Sequence, residues 1–381
     1  MKQGWEIKKL GEVASYVNGY AFKPEHWGET GVPIIRIQNL NNLNADFNYC
    51  ESDIPQKFVI EDGDILISWS AIIGVYEWNR GKAYLNQHIF KVVFDKINIS
   101  KYFLKYAVSA KLNEMLKDAH GATMKHIVKS DFDNTTIPYP PLPEQEKIVA
   151  ELDCLSGVIE KKKQQLKELD LLAQSIFYTM FGDPISNEKG WEVKKLGEVA
   201  RVIGGYAFKS NLFTEDGIPV LRIGNINTGL LKTTSIVFYR EDEALTKYLV
   251  YPQDLVMSLT GTAGKDDYGN VCVLDDTYPK YYLNQRNAKF VLSGNIQVDY
   301  LKHVLKDKQI KSKLTGVNRG IRQGNIANRD IEELLVQIPP LVLQQEYADK
   351  IEAIEKQKEL IKQSITETEE LFNSRMDYYF G

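Results

Sequence analysis

"GWEIKKLGEVA" (Gly4–Ala14) returns as "GWEVKKLGEVA" (Gly190–Ala200), with Ile7 against Val193 as the one difference. The offset of 186 holds through "GYAFK" (19–23 and 205–209) and through "GVPIIRIQNLN" (31–41), which becomes "GIPVLRIGNIN" (217–227). It then drifts. "GDILISWSA" (63–71) aligns with "QDLVMSLTG" (253–261) at 190, and "YLNQHIFKVV" (84–93) with "YLNQRNAKFV" (282–291) at 198. "PPLPEQ" (140–145) aligns with "PPLVLQ" (339–344) at 199. A period this long excludes a solenoid. One unit is written twice, in the order A-B-A′-B′, and the second copy has gained residues in its middle.

The A part mixes short apolar runs, such as Val32–Ile37 and Ile89–Phe94, with Gly, Asn and Pro turn signals and a helical pattern near Tyr102–Leu116. This composition predicts an α+β domain of mostly antiparallel strands. The B part has another period. Positions 148, 152, 155, 159, 162, 166, 169, 173, 176 and 180 keep strict 4-3 spacing, and only Lys162 breaks their apolar character. Such spacing keeps one stripe of a helix facing a partner helix. The second copy repeats it at Tyr347, Ile351, Ile354, Lys358, Ile361, Ile365, Thr368 and Phe372. The expected seam holds Leu152, Leu155, Ile159, Leu166 and Leu169 against Ile351, Ile354, Ile361, Ile365 and Phe372. Each stripe needs cover, and its own copy supplies it, so the helices are expected to pair as an antiparallel coiled coil. The alternative is two arms that dock on another protein. Lys162 and Lys358 are read as equivalent polar positions that set the register.

The fold expected is therefore two tandem globular α+β domains, each followed by a long helix, in a pseudo-twofold, circular organisation. The segments are 1–143, a helix over 144–182, a second domain over 183–340, and a second helix over 341–381. The circular arrangement predicts that Gly381 lies about as near Trp5 as Gly182 lies to Trp191. It also predicts that Trp5, Leu10 and Val13 pack at a junction, with Lys8 and Lys9 facing solvent or phosphate.

Composition fits this layout. The chain has 381 residues, 43% hydrophobic and 26% charged, which is ordinary for a globular protein of more than one domain. No apolar run long enough to span a membrane and no basic-then-apolar leader is present, so neither a membrane span nor a signal peptide is expected. Cys50, Cys154 and Cys272 are odd in number and widely spaced. That argues against a disulfide framework or a zinc site and fits the cytoplasm.

Motifs for catalysis are missing. "GTAGKDD" (261–267) falls one residue short of a phosphate-binding loop and lacks Ser or Thr after Lys265. No metal-ligand spacing joins His26, His88, His120, His126 and His303. What remains is a binding surface. Residues 302–322 carry seven cations against Asp307, and 101–129 carry six lysines against Glu114 and Asp118. Both regions run into Gly-containing loops, "HGATMKHIVKS" (120–130) and "GVNRGIRQGN" (316–325). Single surface lysines are ordinary solvated groups, but concentration in both copies points to phosphate contact. The candidates for DNA contact are Lys105, Lys125, His126 and Lys129 in the first copy, and Lys306, Lys311, Lys313, Arg319, Arg322 and Gln323 in the second. Lys23 and Lys209 end "GYAFK", and Arg36 and Arg222 follow an apolar run. His88 and Arg286 differ between otherwise matching "LNQ" segments, which suits them to specific readout. Asn86 and Gln87 are expected to close buried hydrogen bonds at a strand end.

Taken together, "GWEIKKLGEVASYVNGYAFK", "PIIRIQNLN", "YLNQHIF" and "IPYPPLPEQEKIV", all repeated in order, resemble the specificity (S) subunit of type I restriction-modification systems over essentially the whole chain. The resemblance implies two target recognition domains, each reading half of a split, gapped DNA sequence. It implies helices that recruit two modification subunits, which methylate adenine, and an assembly that can add restriction subunits. S-adenosylmethionine and ATP belong to those partners, and no cofactor is expected on this non-catalytic chain. The competing expectation is a coiled-coil scaffold or adaptor that binds proteins rather than DNA.

Overall fold

The computed structural model describes residues 4–42, 44–69, 73–118, 128–316 and 323–381. The chain divides into two compact units, residues 1–164 with 362–381, and residues 165–361. Each unit holds one globular part and half of each long helix, Leu142–Phe181 and Leu341–Phe380.

In the first unit the opening phrase makes a corner. Strand Glu6–Lys9 pairs antiparallel with Thr136–Tyr139, Glu6 opposite Tyr139 and Lys9 opposite Thr136. The chain then turns into the short helix Leu10–Val13, where the Glu12 carboxylate accepts from the Lys9 N–H at 2.9 Å. That satisfies one of the donors a helix start leaves unpaired. Leu10 and Val13 are fully buried, worth about 1.5–3 kcal/mol each. Lys8 pairs with Glu6 at 2.9 Å, and the Lys9 ammonium donates to Asn134 at 3.0 Å. Trp5 stacks on Tyr379, ring centroids 6.4 Å apart, so the beginning of the domain meets the end of the second long helix.

The second unit repeats the corner. Glu192–Lys195 pairs with Leu335–Ile338, Glu198 accepts from the Lys195 N–H at 2.9 Å, and Leu196 and Val199 are buried. Here the Trp191 indole N–H donates to the Phe181 carbonyl at 2.8 Å. Both chain junctions thus bring a tryptophan to the last turn of a long helix, as the circular arrangement requires.

Two four-stranded sheets follow in each unit. In the first unit their orders are 15–18, 89–93, 65–68, 74–77 and 48–50, 32–35, 83–85, 59–60. Among the described residues every ladder of these sheets is antiparallel except one, Val32–Ile35 beside Ala83–Leu85, with Ile34 opposite Tyr84. The second unit has the same orders and the same parallel exception, Ile218–Leu221 beside Tyr281–Leu283. Glycine makes this crossing possible. A Cβ on Gly19 would lie 2.1 Å from the Asn86 carbonyl oxygen, and one on Gly205 would lie 2.2 Å from that of Asn284. "GYAFK" and "LNQ" therefore recur together because one backbone lies directly on the other.

The copies part where the offset drifts. The first has one helix, Lys101–Asp118, while the second breaks into Val298–Lys306 and Lys308–Thr315. Asp307 makes the break, its carboxylate accepting from the N–H groups of Gln309 (2.8 Å) and Ile310 (3.1 Å). In the second unit Thr260–Thr262 pairs antiparallel with Gln323–Asn325, and the first-copy counterparts of both segments lie outside the described residues. "GTAGKDD" starts in that strand.

All the 4-3 positions of both helices are buried or half-buried. In the first unit the Lys162 ammonium donates to the Ser364 hydroxyl (2.6 Å) and carbonyl (3.1 Å) and to the Thr368 hydroxyl (2.9 Å). Glu151 pairs with Arg375 and accepts from the Tyr379 hydroxyl at 2.6 Å. In the second unit Lys358 pairs with Asp170 at 2.8 Å. Rising numbers on one helix meet falling numbers on the other, so the pairing is antiparallel in each unit. The expected equivalence of Lys162 and Lys358 is corrected by the offset of 199, which pairs Lys162 with Ile361 and Lys358 with Ile159. The two lysines are solved differently, one by hydroxyl and carbonyl oxygens, the other by carboxylates.

Phe177 and Phe181 are buried although they lie off the 4-3 stripe, because that end of the helix enters the core with Tyr300 and Tyr347. His303 stacks on Phe177 at 4.0 Å and meets the Tyr347 hydroxyl at 2.8 Å. Burial, with repulsion from Lys306 and Lys302 against the pull of Asp307, lowers its pKa to about 4. The unfolded chain takes a proton near the ordinary 6.5, which the folded chain resists. Stability is complete above that pH and is lost as pH falls toward 4. Urea unfolding should therefore show about 1–2 kcal/mol less stability at pH 5 than at pH 7 from this residue. His303→Gln should remove that share of the slope, and an unchanged slope would refute it.

Candidate nucleic-acid interface

The parallel strand pair places the most distinctive polar residues. Strand Val32–Ile35 ends at Arg36 and strand Ala83–Leu85 ends at Asn86, and the Asn86 N–H donates to the Ile35 carbonyl at 3.2 Å. "RIQN" and "NQH" thus emerge side by side. Asn39 fixes the first. Its Oδ1 accepts from the Arg36 N–H at 3.0 Å and its Nδ2 donates to the carbonyls of Ala45 (3.2 Å) and Asp46 (3.1 Å). Asn225 does the same beside Arg222, accepting at 2.9 Å and donating to the Lys232 carbonyl at 2.8 Å. These buried asparagines escaped the sequence reading. Their signal was retention three residues after an arginine in both copies.

Around this shared frame the copies differ. Arg36 lies 5.3 Å over the Trp27 ring, with Nη1 donating to Asn48 at 3.2 Å. His88 is exposed beside Trp69, ring centroids 5.6 Å apart. In the second unit Arg222 and Arg286 line one cavity of about 520 Å³ with Phe208, Phe213, Asn284 and Gln285. Arg222 donates to the Ser235 carbonyl at 2.8 Å.

The other candidates scatter. Lys23 and Lys209 are exposed, Lys23 within 3.8 Å of Glu25. Lys105 lies 3.9 Å from Glu77, which also accepts from Lys101 (3.0 Å) and the Tyr102 hydroxyl (3.1 Å). Burial would raise the Glu77 carboxyl, but these partners carry it below its ordinary value. Lys129 pairs with Asp133 at 2.6 Å. Lys306 and Lys313 are exposed, whereas Lys311 is held by Asp266 and Asn270. Gln323 begins the strand Gln323–Asn325. Lys125, His126, Arg319 and Arg322 lie outside the described residues.

Two repeated features are structural. Asn86 and Gln87 bond through their backbone, Gln87 N–H to the Tyr20 carbonyl at 3.0 Å, while their side chains are only half-buried. The buried amides expected there sit elsewhere. Gln145 is fully buried, accepting from the Ser100 N–H and donating to the Pro140 carbonyl, both at 2.8 Å. Gln344 repeats this with the Gln297 N–H (2.8 Å) and the Pro339 carbonyl (2.8 Å). Each ties the start of a long helix to its globular part. The last residue of "PPLPEQ" and "PPLVLQ" was the signal.

Among the described residues no group of His, Cys, Asp and Glu is placed to hold a metal ion, and no helix is long and apolar enough to cross a membrane.

Comparison with known proteins gives one answer. The family model for the type I restriction modification DNA specificity domain matches residues 2–171 and 188–370. The MjaVIII specificity subunit of Methanocaldococcus jannaschii is 25% identical, over 93% of this chain and 86% of its own length. The EcoKI specificity subunit of Escherichia coli K12 is 22% identical, over 93% and 82%. Among solved structures, a chain from a study of complex assembly and conformational transition in the type I R-M system superposes with a TM-score of 0.60 at 18% identity, covering 100% of this chain and 98% of that one. The S subunit from M. genitalium gives 0.54 at 15%, covering 99% and 96%. With the family model matching both halves and the fold shared across the whole length, this chain belongs to the type I restriction-modification specificity subunits.

Proposed function

We propose that this specificity subunit reads a bipartite, gapped sequence in double-stranded DNA, one globular domain to each half-site, and recruits two modification subunits through its long helices. The observation that carries the reading is the repeated frame with unlike contents. Arg36 with His88, and Arg222 with Arg286, stand at the same strand ends in the two copies. A conserved scaffold with different side chains at its tip suits two readers of different sequence. The partner sites are supported by apolar residues that the seam leaves outside. Leu172 and Leu371, related by the offset of 199, are 47% and 50% exposed, and Leu171 and Leu360 are more so. Exposed leucine on a helix otherwise rich in charge fits a protein partner. Methyl donor and nucleotide chemistry belong to the partner subunits in this reading.

Filter binding of the full chain with its modification subunits, to duplex DNA across a salt series, tests it. Affinity should fall steeply, with log K declining by about 0.9 per contacted phosphate for each unit of log salt. A complex that forms but shows no salt-dependent DNA binding would favour a protein scaffold instead.

A further inference from the structure

We propose that Arg286 is a base-reading residue of the second domain and that the base it reads is guanine. This deepens the DNA-reading function and rests on it.

Arg286 sits on a turn tied down on every side. The N–H groups of Asn284 and Gln285 donate to the Leu221 carbonyl (3.1 Å) and the Tyr206 carbonyl (2.9 Å). Its own N–H donates to Asn284 Oδ1 at 3.3 Å, and its carbonyl accepts from the Leu259 N–H at 2.8 Å. Beneath it, Asn287 is fully buried and its Nδ2 donates to the Leu221 carbonyl at 2.7 Å. The first copy has Ile89 at this position, so the buried amide accompanies the arginine. The backbone is fixed, yet the guanidinium is exposed, with no hydrogen bond or ion pair to any described residue. A structural arginine normally spends its five donors on the protein. This one is held ready with them free.

Its surroundings select the ligand. Among the described residues the cavity beside it is lined by Arg222 and the amide groups of Asn225, Asn284 and Gln285, with no carboxylate. Arg222 Nε is itself buried without a partner among the described residues, an unmet donor. A donor-rich, acid-free site favours paired acceptors. Among base edges in the major groove, guanine presents O6 and N7 together, which the guanidinium fork matches in bidentate fashion. Gly224, which has open space around its Cα, replaces the bulkier Gln38 of the first copy and leaves the approach clear.

The test is selection of a randomised duplex library by the complete complex of this chain with its modification subunits. Arg286→Lys keeps the charge and loses the fork, while Arg286→His installs the first copy's residue. The unsubstituted complex should fix guanine at one position of one half-site. Both variants should lose that preference about tenfold or more, leave every other position intact, and in the case of lysine keep the salt slope. Unchanged preferences, altered preferences in both half-sites, or loss of all binding by a variant with normal thermal unfolding would each overturn the assignment. If one variant does not fold, the other decides. No sequence enrichment by the unsubstituted complex would instead refute DNA reading itself.

Discussion

Replacing residues 183–340 with the corresponding domain of another family member is expected to change one half-site completely and leave the other untouched. The reasoning starts from where the contacts lie. The second unit closes its own core: Leu196, Val199, Tyr300 and Leu301 pack with Phe177, Phe181 and Tyr347 of the helix halves that belong to the same unit. The first unit does likewise with Leu10, Phe103, Leu152 and Phe380. Among the described residues every sheet of a recognition frame is built from strands of its own copy. An exchange succeeds structurally if the incoming domain keeps a tryptophan for the Phe181 carbonyl and suits Gln344, which holds the Gln297 N–H and the Pro339 carbonyl. A buried Gln344 with either partner missing would cost about 1–3 kcal/mol. Sequencing of methylated adenine in a host that carries the exchanged chain reads both half-sites at once. Change in both would refute independent reading.

The sequence carried the architecture because duplication makes its own alignment. Periodicity distinguished a stripe of 3.5-residue spacing from short strands, and the helices begin and end within two residues of the expected bounds. Other features were legible only as repeats without reasons. Gly19 is a packing requirement visible only when the Asn86 carbonyl is in place. Lys91 and Lys289 recur as cations but serve the interior, donating to the carbonyls of Val59 (3.0 Å) and Leu249 (2.7 Å). Charge counting could not separate them from surface lysines, since a count contains no direction. The same limit affected Lys311 and Lys129, whose carboxylate partners lie 45 and 4 residues away in sequence. Arg286 stood out for the opposite reason. It differs within a matching segment, and difference between copies is informative where the frame is shared.

Removing one heptad from both long helices, residues 165–171 with 357–363, is expected to shift the tolerated gap between half-sites. The two segments face each other, as Lys358 pairs with Asp170, so the deletion takes both members of that pair together. It also removes Leu166, Leu169 and Ile361 from the seam and spares Lys162 with Ser364 and Thr368. Seven residues are two turns of a coiled-coil helix, so the stripes on either side of the cut stay aligned. The helices shorten by about 10 Å at 1.5 Å per residue, equivalent to about three base pairs at 3.4 Å each. The preferred gap should contract by about that amount. Affinity should also fall, because three base pairs turn the DNA by roughly a quarter of its helical repeat of about 10.5 base pairs, while two full helix turns leave the protein's faces unrotated. Cutting one helix alone is the control. It would leave the helix segments on the two sides of the cut seven residues out of register with each other and should destabilise the chain rather than move the gap. Library selection by the doubly shortened complex separates the outcomes, and an unchanged gap with normal affinity would mean that the helices do not set the spacing.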